Sequence, residues 1–404
     1  MKGAAWHPNP RRAFGWNRIL SGRLSLLRID WHLLILALCL LGIGLLFVQG
    51  MDEADVLFER SEGGKVEFDR HLQKVLIALP MLVLGLFIRP RWLRRNAWRL
   101  YAFSLVLLVL VRIVGDERNG ARRWIQVPGI GFDLQPSELA KLGLIVAFSR
   151  LLYTSRMQRG RDWLRAALVL AAPAGLVFLQ PDLGTAMTFV PIALGLMFLA
   201  GARPLRLLQI GLAGAVIGAL VFQFRLIHSY QLERIETWLD SFQAGSLIAG
   251  KNGPAFHTYH ARVAIGNGGW FGRGLGEGVA NAAAHLPERD CDSIFAVVAE
   301  EAGFVGAGGI LLLYVLLIVL LLGAASTIRE RFARLVVSGV ALYFAAHLFV
   351  HTGVNLGLAP MTGLPLPLFS TGGSSLLATC LALGLALGLS AQQEATLDGD
   401  AFRE

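Results

Sequence analysis

The sequence predicts an all-α integral membrane protein of about ten transmembrane helices, with one long extracytoplasmic loop between spans 7 and 8. Three observations predict it. Of 404 residues, 55% are hydrophobic and only 16% charged, and mean hydropathy is +0.57, whereas soluble domains are about one quarter charged. Apolar runs of spanning length, roughly 20 residues, recur along the chain. The basic residues behind the formal net charge of +9 collect in alternate short connections, a membrane-topology pattern and not the footprint of a nucleic-acid binder.

The runs fall at 31–49, 73–88, 97–114, 137–153, 163–179, 184–201, 206–227, 293–323, 335–356 and 374–389. Helices are expected because lipid offers the backbone no partners. Pro181 leaves open whether the fifth and sixth runs are two spans or one kinked span. The first run begins near Trp31 and is long enough to remain as an anchor, so no cleavable leader is expected. The chain then divides into a basic segment 1–30, a polytopic region 31–390 containing the loop 228–292, and a tail 391–404. The three cysteines form no disulfide framework: Cys39 and Cys380 lie in apolar runs and Cys291 stands alone.

Sidedness follows from arginine. Arg11, Arg12, Arg18, Arg23 and Arg28 precede the first run. Arg89, Arg91, Arg94, Arg95 and Arg99 fill the second connection, and Arg150, Arg156, Arg159, Arg161 and Arg165 the fourth. Arg203 and Arg206 mark the sixth, and Arg329, Arg331 and Arg334 the eighth. With an even number of spans these all share one side, the cytoplasmic one, together with both termini. The acidic loop 51–71 and the stretch 228–292 then face outward. No nucleoside triphosphate is normally available there, so a bond made outside needs a substrate that arrives activated.

Five stretches carry candidate chemistry. In HLPERDCDSIFAVVAEEAG, 285–303, Asp292 is either a helix N-cap or a functional carboxylate beside Glu288, Arg289 and Asp290. Glu300 and Glu301 lie about 12 Å further along the helix, at a depth where acids face protein or water. Being adjacent, only one of the two is expected on any given side. In NGARRWIQVPGIGFDLQPSELAKL, 119–142, Pro136 suits a first helical turn. Glu138 and Lys141 share a face, as an intrahelical ion pair or as a charge offered to an anionic ligand. Arg122 and Arg123 lie on the outer side against the arginine trend. In QPDLGT, 180–185, Asp182 opens a span, where a carboxylate favours the helix dipole. AIGNGGWFGRGLGEG, 264–278, lacks the strand–helix context of a nucleotide fingerprint; its glycines permit a tight loop close to the bundle. His257 and His260 have no third metal ligand at matching spacing and read as packing residues. GLPLPLFSTGGSS, 363–375, cannot form an ordinary helix and is tolerated only if buried in protein or lining a cavity.

Together these stretches resemble the SEDS family of RodA and FtsW, multi-span peptidoglycan glycosyltransferases. NGARRW, QPSELAKL, QPDLGT, AIGNGG, LPER…D-x-IFAVVAEEAG and PLPLFSTGGSS occur in family order from about Asn119 to Leu377. LPER, AIG and LPLPL lean towards RodA, the elongation member. Departures are Asp290-Cys291 where the family has His-Thr, Ser293 for Phe, and Thr371 for Tyr. The resemblance implies polymerisation of lipid II on the outer face, by a single inverting displacement. It implies Asp292 as the general base on the acceptor hydroxyl, with Arg123, Glu138, Lys141, Asp182, Glu288, Glu300 and Ser370 binding substrate. Arg123 and Lys141 would stabilise the departing diphosphate, a divalent cation such as Mg or Mn could share that task, and a class B penicillin-binding protein is the expected partner. The rivals are a lipid II flippase and a non-catalytic scaffold.

Overall fold

Lipid-length apolar runs leave the backbone only its own helix to bond with, and in the computed structural model each of the ten runs has a helix of its own. The structure describes residues 29–57, 66–118, 121–127, 132–155, 157–225, 229–242, 256–279, 286 and 288–392. Helices α1 (Trp31–Leu57), α2 (Phe68–Phe87), α3 (Pro90–Val114), α4 (Pro136–Thr154), α5 (Gly160–Phe178), α6 (Leu183–Leu199) and α7 (Pro204–Gln223) come first. The described part of the long connection then holds two helices, α8 (Ser229–Asp240) and α9 (Phe256–Asn267), and the chain continues in α10 (Ile294–Thr327), α11 (Arg331–Asn355) and α12 (Gly373–Ala391). Among the described residues, α1, α2, α3, α10, α11 and α12 are long and apolar enough to cross a membrane by length and composition; α6 and the first part of α7 are shorter apolar helices.

Pro181 does not kink a single helix. α5 ends at Phe178, α6 starts at Leu183, and the two pack on each other as a hairpin. A small antiparallel sheet stands where the sequence shows only a loop: β1 (Asp116–Arg118), β2 (Ala121–Val127) and β3 (Phe132–Leu134), in that order. Strand β2 lays Arg123 against the turn between α5 and α6.

The core gathers around α4, which is buried on almost every face from Pro136 to Ser149, and around α11 and α12. By contrast α7 is exposed along nearly its whole described length. Hydrogen bonds tie the basic connections to one another at one end of the bundle. Arg94 reaches Glu330 at 2.8 Å. Arg331 donates to the carbonyls of Ser155 at 2.9 Å and Ala200 at 3.1 Å. The 290–292 loop, the α5–α6 turn and the segment 356–372 meet at the other, acidic end.

α10 is broken inside. Gly303 has φ 69° and ψ −170°, which only glycine adopts without strain. The break exposes backbone groups, and the glycine-rich loop supplies their partners. The N–H groups of Arg273 and Gly274 donate to the carbonyls of Glu300 (3.1 Å) and Glu301 (3.0 Å). Those of Phe304 and Val305 donate to Gly269 (2.9 Å) and Trp270 (3.1 Å). A Cβ at Gly272 or at Gly303 would collide with the backbone across this junction. The loop therefore approaches the bundle as closely as its glycines allow, and buries Glu300 and Glu301 together.

Candidate functional site

Asp292 lies in the short loop ahead of α10, partly buried, and the loop is held from several directions. The carbonyl of Glu288 accepts from the backbone N–H of Cys291, Asp292 and Ser293 at 2.9–3.1 Å. Asn355 on α11 donates to the Asp292 carbonyl at 3.1 Å. Ser370 Oγ donates to the Cys291 carbonyl at 2.7 Å while accepting from Leu366 N at 2.8 Å. Thr371 bonds Asp290 through its N–H to the carbonyl at 3.0 Å and through its hydroxyl to the carbonyl at 3.3 Å and to the carboxylate. Beneath the loop Arg289, 3% exposed, pairs with Asp55 of α1, 1% exposed, and Asp55 also accepts from Val66 N at 2.7 Å. A buried pair of this kind is costly to break from one side, so it pins the loop to α1.

The helix N-cap is Ser293, and its side chain makes no capping bond. The Asp292 carboxylate is therefore not consumed by capping. Its Oδ2 points at Gly363, where a Cβ would begin 3.2 Å away; Gly363 has φ 69° and leaves the carboxylate uncovered by a side chain. Burial pushes the Asp292 carboxyl up to about 7, with the Glu288 charge adding, and the Cys291 thiol and Arg234 opposing. Burial and the charge of Asp290 raise Glu288 as well. A carboxylate near neutrality in a fixed loop is suited to accept a proton.

Non-helical backbone is admissible at the end of a bundle only where its polar groups find protein partners, and 356–372 does. His347 Nδ1–H and His351 Nδ1–H donate to the carbonyls of Pro365 (3.2 Å) and Leu364 (2.7 Å). Tyr314 donates to Pro367 at 2.6 Å. From the long connection, Trp238 reaches Gly357 at 3.0 Å and Arg234 reaches Met361 at 3.1 Å. This segment forms one wall of a cleft also lined by Arg123, Asp182, Gln231 and Arg234.

The predicted residues separate into two groups. Arg123, Asp182, Glu288 and Asp292 gather at the acidic end around that segment. Arg123 donates to the carbonyls of Gln180 (3.0 Å) and Pro181 and lies 3.9 Å from the Asp182 carboxylate. Asp182 is a true N-cap, accepting from Thr185 N at 3.1 Å and Thr185 Oγ1 at 2.9 Å.

Lys141, Glu138 and Glu300 are placed elsewhere, while Ser370 stays at the acidic end against the Asp292 loop. Lys141 is wholly buried, bonded to Glu138 at 2.8 Å and to His347 Nε2 at 2.7 Å. Tyr343 adds a bond to Glu138 at 3.3 Å and one to Thr379 at 3.1 Å. The ion pair is thus formed inside the bundle, and Lys141 is not among the residues lining the cleft. Glu300 lies under the glycine loop with Asn267 at 3.4 Å, and its neighbour Glu301 is buried too. Ser370 is occupied on both sides by the chain. The positioning roles of Asp55 and Asn355 carried no local signal in sequence, Thr371 stood out only as a departure from the family pattern, and Arg234 and Gln231 were hidden in the long connection. His260 stacks on Phe256 at 4.2 Å between centroids, and His257 Nδ1 lies 3.4 Å from Ser293 Oγ.

Among the described residues no group of three or more His, Cys, Asp or Glu side chains is arranged to hold a metal ion.

The sequence profile of the cell cycle protein family of FtsW, RodA and SpoVE matches residues 31–395. The chain belongs to that family. It is 36% identical over 329 residues to the "Probable peptidoglycan glycosyltransferase FtsW" of Halomonas elongata, covering 79% of each chain. It is 35% identical over 377 residues to the protein of the same name from Thioalkalivibrio sulfidiphilus, covering 89% of each. Among solved structures, the rod shape determining protein RodA of Thermus thermophilus superposes with a TM-score of 0.66 at 32% identity, over 90% of this chain and 97% of that one. A chain from a structure described as "Structural coordination of polymerization and crosslinking by a peptidoglycan synthase complex" gives 0.75 at 33% identity, over 91% and 99%. As a member of the FtsW, RodA and SpoVE family, the chain is a glycosyltransferase.

Proposed function

We propose that the chain polymerises lipid II into glycan strands at the outer face of the bacterial plasma membrane, with Asp292 as general base. The observation that carries this is the Asp292 carboxylate itself, held in a braced loop, not used as a cap, and pushed up to about 7. The acceptor's sugar hydroxyl gives its proton to Asp292 as its oxygen attacks the donor's anomeric carbon. The bond to the diphosphate breaks on the far side, and inversion converts an α-linked donor into a β-linked polymer. Arg123 is the cation placed to stabilise the departing diphosphate.

A flippase would need polar side chains open along a path through the bundle. The buried polar group around Lys141 is instead bonded to itself, with Lys141 and Glu138 at 0% and 1% exposure. A class B penicillin-binding protein as partner is in keeping with the peptidoglycan synthase complex among the structural relatives. The elongation role rests on LPER, AIG and LPLPL, while the curated relatives named above carry the FtsW name; rescue of strains depleted of either the elongation or the division enzyme separates the two. The decisive test of activity is purified protein with lipid II, with and without the partner, read on a glycan gel. Polymer from the wild type and none from Asp292→Asn is the expected result; no polymer under either condition refutes the reading.

A further inference from the structure

Pro365 and Pro367 lack the N–H that a helical ladder needs, so the carbonyls of the wall segment must find donors elsewhere. One helix supplies them. On α11, Tyr343, His347, His351 and Asn355 recur at every fourth residue, which puts them on one face, and all four are buried. His351 Nδ1–H donates to the Leu364 carbonyl at 2.7 Å, and His347 Nδ1–H to that of Pro365 at 3.2 Å. One turn beyond His351, Asn355 donates to the Asp292 carbonyl at 3.1 Å. The same face of α11 therefore grips two things at once. It holds the loop that carries Asp292, and the wall whose Gly363 stands against that carboxylate, where a Cβ would lie 3.2 Å from Oδ2.

His347 also braces the face from behind. Its Nε2 accepts from the Lys141 ammonium at 2.7 Å, so one imidazole ties α4, α11 and the wall together. His351 uses a single nitrogen, for its Nε2 is buried with no partner among the described residues. An unpaired acceptor in a core is unfavourable, and the one bond His351 makes is to the wall beside Asp292. We propose that His351 is a positioning residue for glycosyl transfer, holding Leu364, and with it Gly363, at a set distance from the Asp292 carboxylate. The proposal rests on the reading of Asp292 as the base. A displacement of about 1 Å at a reacting centre costs on the order of 10²-fold in rate.

A looser wall has a second consequence that a general loss of structure lacks. The charged and titratable groups facing Asp292 are Glu288, Asp290 and Cys291 in its own loop and Arg234 from α8. Replacing His351 leaves all four in place and acts through burial alone. Water then reaches the carboxylate, its raised value falls back towards the ordinary carboxylate range, and the basic form persists to lower pH.

The experiment is polymer formation from lipid II as a function of pH by the wild type, His351→Leu, His351→Asn and Asp292→Asn. The plateau rate of His351→Leu should fall about ten- to a hundredfold, and its climb should move to lower pH. His351→Asn keeps an N–H donor close to the place of Nδ1–H, and should retain most of the plateau and the wild-type midpoint. Should His351→Leu fail to fold, His351→Gln moves the donor outward by one methylene, and the same two changes are expected of it. A wild-type plateau in the Leu variant overturns the proposal, as does a lowered plateau with an unmoved midpoint, or an Asn variant as impaired as Leu. Asp292→Asn keeps the two readings apart. If it is inactive while His351→Leu matches the wild type, the positioning role falls and the base stands. If Asp292→Asn polymerises normally, the base falls and takes this proposal with it.

Discussion

Asp182 and Asp292 both stand just ahead of a helix at the same end of the bundle, and local sequence treats them alike. The structure does not. Asp182 turns its oxygens onto Thr185, whereas Asp292 leaves the helix start to Ser293 and faces Gly363. Asp292→Asn therefore removes a proton acceptor and no cap. Polymerisation should fall by about 10²–10⁴-fold while the thermal midpoint is unchanged, and a large drop in that midpoint would show a structural role instead. The charge environment adds a signed test. With its carboxyl pushed up to about 7, Asp292 gains basic form as pH rises, so activity should climb through that region. Glu288→Gln removes a negative neighbour that raises Asp292, and should move the climb to lower pH. Arg234→Gln removes the opposing cation and should move it to higher pH. A profile that ignores both substitutions would point to a different base. Lys141 behaves oppositely, as a structural charge. Lys141→Met strands the buried Glu138 carboxylate and should cost about 3–5 kcal/mol, whereas Lys141→Met with Glu138→Leu should recover most of that loss; the readout is the thermal midpoint of each variant.

At the level of elements, legibility followed periodicity and length. Runs such as 335–356 announce a helix because lipid-length apolarity has one backbone solution, and α11 (Arg331–Asn355) covers that run to within a residue at its far end. The three short strands were not legible: Arg123 and Trp124 interrupt the alternation that marks a half-buried strand, and the sheet owes its register to pairing with its own neighbours. Helices α8 and α9 were missed because their value lies in gripping 356–361 through Arg234, Trp238 and Arg262, contacts that no local pattern encodes. The break in α10 was half-legible. AIGNGG signalled close approach, yet Gly303 looked like any glycine in a helix until its partner loop was seen. Gly303→Ala should therefore cost more than an ordinary helical Gly→Ala, which usually stabilises. Backbone at φ 69° and ψ −170° is essentially confined to glycine and costs another residue about 1–3 kcal/mol, and the new Cβ meets the backbone of Phe271 and Gly272. A Gly308→Ala control, at a position with open space, should leave the thermal midpoint unchanged or raised; equal effects at the two sites would mean that the loop is not clasped to the helix.

Over the whole molecule, the arginine pattern and the tertiary contacts describe the same two ends. Connections that sequence assigns to one side on charge alone are the ones joined by Arg94–Glu330 and by Arg331 to Ser155 and Ala200. The acidic end collects the remaining connections through Arg289–Asp55, Arg123–Pro181 and Thr371–Asp290. A lipid-linked substrate with an exposed sugar could reach Asp292 only from the latter side, so membrane orientation and chemistry are one claim. On the positive-inside bias the Arg94 end is expected in the cytoplasm, and labelling tests that expectation. Single cysteines at Asp52 and Glu277, introduced after replacing Cys39, Cys291 and Cys380, should react with a membrane-impermeant maleimide in intact cells. A cysteine at Arg95, exposed to solvent at the opposite end, should react only after the membrane is opened. Efficient labelling of Arg95→Cys in sealed cells would invert the protein, put Asp292 on the cytoplasmic face, and remove the reason for requiring a preactivated donor.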